Sequence, residues 1–64
     1  MITDLDIYRA ANLLIDRYGD GALTEAAQMI DRMLADDDSE GRIVWRRIKR
    51  VIEALQAAPS GPVH

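Results

Sequence analysis

Side chains that could carry out catalysis are scarce in this chain of 64 residues. It contains no cysteine, and its single histidine, His64, is the last residue. The serines, Ser39 and Ser60, fall in predicted loop or tail positions, so no base stands beside either hydroxyl to activate it. A general acid needs burial or a like-charge neighbour, but the acidic residues fall on polar faces or in loops. The sequence predicts a protein that is not an enzyme and holds no cofactor.

One run of acidic residues matches the start of a calcium-binding loop. Asp36-x-Asp38-x-Glu40-Gly41 supplies oxygen ligands at loop positions 1, 3 and 5, followed by the turn glycine. The bidentate carboxylate of position 12 is absent, because Arg47 stands there. We therefore expect no metal site and interpret the run as a polar loop that caps a helix. We keep a calcium-responsive module as one alternative function of the chain.

Charge is distributed unevenly along the chain. Residues 1–41 hold ten acidic and three basic side chains, net −7, whereas residues 42–64 hold five basic and one acidic, net +4, which together give −3. The basic side chains could meet an acidic protein surface or phosphate, and the alternative is a solvated face balanced by the acidic helices. These candidate partner-binding residues on the third predicted helix are Arg42, Arg46, Arg47, Lys49 and Arg50.

The third predicted helix also resembles the recognition helix of a helix-turn-helix domain, because W-R-R-I-K-R over residues 45–50 follows two shorter helices. Two features oppose DNA binding: the chain has no basic N-terminal arm, and its pI is about 4.8. Nucleic-acid-binding domains are commonly basic. We therefore expect no nucleic-acid partner and keep a small helix-turn-helix-like DNA-binding regulator as the alternative function.

The elements that position these residues are predicted to be helices, because apolar residues recur at helical spacing and nowhere alternate as in a strand. Thr3 is predicted to cap a first helix, which ends in a glycine turn at residues 19–21. A second helix spans about residues 22–35. A third is capped by Asp38 or Ser39 and stops before the first proline.

Each predicted helix has one apolar face, and these faces together form the predicted core. The sequence thus predicts an all-α fold, with three helices in a single small domain over residues 1–58 and a disordered tail over residues 59–64. The core residues are Ile7, Ala11, Leu14 and Tyr18, flanked by Tyr8 and Ile15; Leu23, Ala26, Ala27, Ile30, Met33 and Leu34; and Val44, Trp45, Ile48, Val51, Ile52 and Leu55.

This core is small for an independent fold. A chain of this length buries only about 60% of its unfolded surface. Because neither a disulfide nor a metal adds stability, we expect a homodimer. Leu13 and Ile43 lie outside the apolar faces and form a candidate contact patch, in a dimer or with another protein. We interpret the chain as a small adaptor or regulator that acts through protein–protein contact.

The sequence also bears on location. No apolar run approaches the roughly 18 residues that a membrane span needs. Residues 1–4 do not start a basic and apolar signal sequence. We therefore expect a cytoplasmic protein without a membrane partner.

A pattern spread along the chain resembles a protein family. It reads D-I-Y-R-x-A from Asp6, L-I-x-x-x-G from Leu14 and G-x-x-x-W-x-x-I from Gly41, with an alanine-rich helix before the last part. Over about residues 5–56, this pattern resembles a family of short alphaproteobacterial proteins of unknown function. The resemblance implies a free-standing bacterial cytoplasmic protein, and it brings no activity, cofactor or site.

Overall fold

The computed structural model describes residues 2–57, most of which are helical: α1 (Asp4–Tyr18), α2 (Ala22–Ala35) and α3 (Ser39–Gln56). No strand occurs within this range, so the all-α prediction is confirmed. The predicted division into three separate helices needs a correction. A 3-10 turn at Gly19–Gly21 joins α1 to α2 without a non-helical residue between them. The helical backbone therefore forms two continuous segments, α1 with α2 and then α3.

The predicted C-terminal tail and domain boundary fall beyond residue 57, the last described residue. The predicted disordered tail, residues 59–64, lies outside the described residues, and the domain boundary at residue 58 stays a prediction. Between residues 2 and 57, no helix combines the length and the apolar character needed to cross a bilayer.

Local signals explain where α1 begins and ends. The Asp6 backbone N–H donates to Thr3 Oγ1 at 3.2 Å, and the Thr3 backbone N–H donates to Asp6 Oδ2 at 3.1 Å. These reciprocal bonds form a capping box. At the other end, Gly19 has a φ of +53°, a conformation that glycine adopts without a steric penalty. The predicted cap is confirmed, and the α-helix ends at the predicted glycine, although the backbone continues into α2 as the 3-10 turn.

A tight turn connects α2 to α3. The Asp37 N–H donates to the Leu34 carbonyl at 3.1 Å and the Asp38 N–H to the Met33 carbonyl at 2.8 Å, which is the bond pair of a Schellman motif. Asp37 occupies the left-handed position of this motif, with a φ of +57°. Asp38 then caps α3, because its Oδ1 accepts a hydrogen bond from the Gly41 N–H at 2.9 Å. Of the predicted caps for α3, the structure selects Asp38.

The end of α2 and the start of α3 approach closely at Gly41. A Cβ atom at this position would lie 2.6 Å from Met33 Sδ and 2.6 Å from Asp38 Oδ2. Both distances are far below van der Waals contact. Because Gly41 has no Cβ, the ends of the Met33 and Asp38 side chains can occupy the space beside it.

The core lies where α3 packs against both α1 and α2, which touch each other less. Trp45, predicted to be core, is half-buried at its edge. Ala22, outside the predicted core, is fully buried. Half of the buried residues in the described part of the chain are alanines, so the helices come close but enclose little apolar volume. The buried residues are Ile7, Ala11, Ala22, Ala26, Ile48 and Ile52.

Four residues predicted to be core are instead exposed: Tyr8, Tyr18, Leu34 and Leu55. The last three each belong to the final turn of a helix, where the neighbouring helix no longer covers them. Tyr8 lies on a flank of α1 beside α3. A helical projection identifies the apolar side of a helix but not the length over which a neighbour covers it, and this is why the prediction fails at the helix ends.

Candidate interaction surface

The predicted cations lie on the outward face of α3 or beside it. This helix packs inward through Ile48 and Ile52, so the residues on its opposite side face solvent. The side chains on and beside that side are basic at five positions: Arg46, Arg47 and Arg50 are exposed, and Arg42 and Lys49 are half-buried.

Two of these cations are engaged in ion pairs within the chain. Arg47 Nη2 donates to Asp4 Oδ1 at 2.6 Å, which links α3 to the start of α1. Lys49 Nζ donates to Glu53 Oε2 at 3.2 Å, one turn further along α3. Because both pairs are open to solvent, each stabilises the fold by less than about 1 kcal/mol.

The other three cations have no carboxylate partner among residues 2–57. Arg42, Arg46 and Arg50 are spaced four residues apart, so their side chains follow one another along α3. Like charges at this spacing repel by about 0.2–0.5 kcal/mol per pair, and an anionic partner would remove that repulsion. This arginine stripe, defined as Arg42, Arg46 and Arg50, is the part of the predicted site that is open to a partner.

Arg50 lines each of three shallow depressions on the surface of α3. One lies between α1 and α3 at Tyr8, one lies over Ile43, and one extends to α2 at Ile30. Their volumes are about 130, 190 and 230 Å³, below the roughly 300 Å³ at which small-molecule sites begin. The surface is therefore better suited to single side chains of a macromolecular partner.

The two apolar candidates are both exposed but do not form one patch, which corrects the prediction. Leu13 exposes 57% of its area and Ile43 exposes 58%. An ion pair holds the start of α1 beside the middle of α3, and Gln56 Nε2 donates to the Gly19 carbonyl at 2.8 Å, which holds the end of α1 beside the end of α3. Leu13 therefore lies toward the end of α3, roughly two to three turns from Ile43.

The acidic turn before α3 does not have the backbone of a calcium-binding loop. Residues 39–47, which would be positions 4–12 of such a loop, are all helical, whereas a calcium loop wraps around its ion before the second helix begins. The Asp38 carboxylate is used to cap α3. Within residues 2–57, no three acidic or histidine side chains converge as metal ligands do.

Sequence reasoning gave the acidic turn a capping role, with calcium binding as an alternative, and it placed Tyr8 in the core. In the structure, Asp36, Asp37 and Glu40 are exposed and have no ion pair with any residue from 2 to 57. They precede the arginine stripe along the chain, and Tyr8 borders it. The spacing of Glu40 from Ile43 and Arg47, three and seven residues, is the signal that could have shown a shared face.

The structure thus brings Ile43 together with Arg46, Arg47 and Arg50 around one depression and leaves Leu13 apart from them. The other two predicted cations, Arg42 and Lys49, flank this group. No protein-family model, no curated protein and no solved structure matches the chain.

Proposed function

We propose that this chain is a non-enzymatic helical protein that acts through protein–protein contact, as a small adaptor or regulator, and that it forms a homodimer. The observation that carries the proposal is the imbalance between core and surface. Among residues 2–57, six are buried, three of them alanine, whereas eight large apolar side chains expose between 41% and 58% of their area. The exposed residues are Ile2, Leu5, Tyr8, Leu13, Tyr18, Leu34, Ile43 and Leu55.

Association would supply what the isolated chain lacks. In this proposal α1, α2 and α3 form a three-helix domain whose small core is supplemented at the dimer interface. Each Å² of apolar surface that a second copy covers contributes about 25 cal/mol. Single exposed apolar residues are normal on a monomer, but domains of this size commonly gain stability by association.

Sedimentation velocity over a concentration series, together with native mass spectrometry, tests the proposal. We expect a species near twice the 7.2 kDa of one chain. Leu13→Asp and Ile43→Asp place a charge at either candidate contact residue, and loss of the dimer with unchanged helical circular dichroism assigns the contact to that residue. A chain that stays monomeric at all concentrations and retains no protein partner when recovered from its host contradicts the proposal.

The arginine stripe supports a second candidate function, a small helix-turn-helix-like DNA-binding regulator that uses α3. Contacts with phosphates release counterions, so such binding weakens steeply between about 50 and 200 mM salt. A fluorescence anisotropy titration with duplex DNA measures this dependence. Binding that is lost in the variant Arg46→Glu with Arg50→Glu would favour this function, and the net charge of −3 opposes it.

The remaining attributes stay predictions. They are the cytoplasmic location and the bacterial source that the resemblance to short alphaproteobacterial proteins implies. Fractionation of the source cells, followed by detection of the chain with an antibody, checks the location.

A further inference from the structure

We propose that the groove between α2 and α3 binds an acidic, amphipathic helix of another protein. The apolar side of the partner helix contacts Ile30 and Leu34 on α2, and its carboxylates contact the arginine stripe on α3. This inference rests on the proposed protein–protein function and names the chemical class of the partner. Its apolar contacts differ from Leu13 and Ile43, the candidate contact residues of the homodimer.

The two helices that form the groove run in opposite directions. Ile30 lines a depression with Lys49, and three residues later along α2, Met33 lies beside Gly41. Residue numbers therefore rise along α2 while they fall along α3. The end of α2 is thus level with the start of α3, as the tight turn between them requires.

The α2 wall of the groove is apolar. Leu34 follows Ile30 by four residues, so the two side chains lie on the same side of α2. Ile30 is half-buried, and Leu34 exposes 58% of its area. Because the helices are antiparallel, Leu34 is level with the start of α3, which carries Arg42. This wall offers a partner two aliphatic contacts that are one turn, about 6 Å, apart.

The α3 wall of the groove is cationic. The arginine stripe repeats every four residues, and such a row winds slowly around a helix. Arg42 is half-buried, whereas Arg46 and Arg50 are exposed, and Arg50 also lines the depression beside α1. The row therefore runs from the α2 side of α3 outward, and about 12 Å separates its ends. None of the three arginines has a carboxylate partner within residues 2–57.

A partner helix with a carboxylate at every fourth residue has the same spacing as this row. Four residues of any α-helix rise about 6 Å, so successive carboxylates meet successive arginines. Charge-assisted hydrogen bonds of this kind are stronger than neutral ones, and they also remove the repulsion within the stripe. Apolar side chains beside the carboxylates then reach the α2 wall. Amphipathic helices commonly bind apolar grooves in this way.

Two features of the groove favour a peptide over a nucleic acid. Phosphates would use the arginines but would gain nothing from Ile30 or Leu34, because aliphatic side chains donate no hydrogen bond. Glu53 lines the same depression as Arg46 and Arg50. A continuous run of phosphates would therefore approach a carboxylate of this chain, whereas a peptide places an uncharged side chain there.

Fluorescence anisotropy with synthetic peptides tests the inference. The amphipathic probe has about 15 residues, enough for partial helicity on its own, and its leucines and glutamates each recur every four residues in adjacent rows. One control peptide has the same composition with the leucines scattered, and a second has lysine in place of glutamate. We expect the wild-type chain to bind the probe at least about tenfold more tightly than either control.

A substitution in the α2 wall tests its apolar contact. Leu34→Asp places a charge there, and Leu5→Asp is the matched control, because Leu5 on α1 is almost equally exposed. We expect Leu34→Asp to weaken binding of the probe by about tenfold or more. Leu5→Asp should leave binding unchanged, and circular dichroism should show equal helix content in both variants.

Reversing charge in the α3 wall tests the carboxylate contacts. Arg46→Glu with Arg50→Glu should weaken binding of the probe by about tenfold or more. Arg9→Glu with Arg17→Glu makes the same change in net charge on α1, where both arginines are exposed. This control should change binding by less than about twofold at 0.15 M salt, since distant charges are screened.

The outcomes separate this inference from the proposed function. If the wild-type chain is monomeric but binds the probe as described, the homodimer is wrong and the groove is supported. If the chain is dimeric but binds no peptide up to about 1 mM, a concentration that detects even weak contacts, the groove is wrong and the homodimer stands. The groove is equally wrong if Leu34→Asp and Leu5→Asp bind the probe alike.

Two other occupants would overturn the inference. If Leu34→Asp dissociates the wild-type dimer during sedimentation, a second copy of this chain fills the groove. If duplex DNA binds more tightly than the probe, and Arg46→Glu with Arg50→Glu weakens it while Leu34→Asp does not, the arginine stripe binds nucleic acid.

Discussion

The two turns of the molecule each place one residue at a positive φ, but they use different residue types to do so. Each contains a residue with a left-handed φ, Gly19 at +53° and Asp37 at +57°. Glycine adopts this conformation without strain, whereas a residue with a Cβ is destabilised there by about 1 kcal/mol or more. The first turn is thus optimised for backbone geometry. The second keeps a carboxylate at some cost in stability, which is consistent with a use for its charge.

The largest expected effect comes from removing the glycine of the first turn. Gly19 has a φ of +53° and a ψ of −121°, a conformation that residues with a Cβ rarely adopt, so Gly19→Ala should lower the free energy of unfolding by about 1–3 kcal/mol. Each kcal/mol corresponds to a drop in Tm of about 4–8 °C in a domain of this size, and thermal melting by circular dichroism measures it. Gly21→Ala is the control, because Gly21 has a φ of −86° and its Cβ would only touch Tyr18 Cβ at 3.8 Å.

We expect Gly21→Ala to leave Tm unchanged or slightly raised. If both alanine variants melt at the wild-type temperature, the first turn does not depend on glycine, and the contrast between the turns disappears.

A smaller effect of opposite sign is expected in the second turn. Asp37→Gly relieves the left-handed strain and should raise the free energy of unfolding by about 0.5–1 kcal/mol. Urea unfolding in the Ile43→Asp background measures this, because association otherwise adds to apparent stability. With Ile43 restored, a change in the affinity of the proposed dimer would show whether the Asp37 carboxylate also contributes to association.

Asp37→Asn separates charge from backbone in that experiment. Asparagine tolerates the left-handed conformation, so the stability of the monomer should stay near that of wild type, and any change in dimer affinity reports on the charge. A dimer of unchanged affinity in both variants would show that the acidic turn is not used for its charge.

The smallest effect is expected at the cap of α1. There the carboxylate of Asp6 accepts a hydrogen bond from the Thr3 backbone N–H, so it acts locally, and this sharpens the comparison with Asp37. The Thr3 backbone N–H, and then the Thr3 hydroxyl, lower the pKa of Asp6 below its ordinary value of 3.8. The charged form is thus favoured in the folded state. Its contribution is present above pH 3.8 and is lost as the pH falls through the lowered pKa.

Circular dichroism follows the helix content of wild type and of Asp6→Asn from neutral pH down to acid. The difference between the two curves measures this contribution. We expect the two curves to converge in acid, where Asp6 is protonated. Curves that stay equally far apart at every pH would show that the cap does not depend on the charge.

The helix ends could be predicted because their signals lie within a few residues. Thr3 with Asp6, the glycine at residue 19 and the cap at Asp38 each act through hydrogen bonds or backbone preferences that the local sequence specifies. The continuity of α1 with α2 was missed, because Gly19–Gly21 has the composition of a loop and still forms a 3-10 turn.

The arrangement of the surface could be predicted only in part. The exposure of Leu13 and Ile43 followed from their positions off the apolar faces, and the cationic side of α3 followed from spacing. Their separation depends on how α1 lies along α3, which is fixed by contacts distant in sequence, such as Arg47 with Asp4. The predicted burial of Leu34 is wrong for the same reason, because neighbouring helices decide whether a helix end is covered.

The close approach at Gly41 has a consequence for the evolution of this surface. Gly41 lies between Glu40 and Ile43 in α3, and its backbone N–H donates to the Asp38 carboxylate that caps this helix. A Cβ there would lie 2.6 Å from Met33 Sδ and from Asp38 Oδ2, so any larger side chain displaces the ends of both side chains, one of which caps α3. Substitution at this one position would therefore weaken the cap of α3 while leaving every charge in the chain intact.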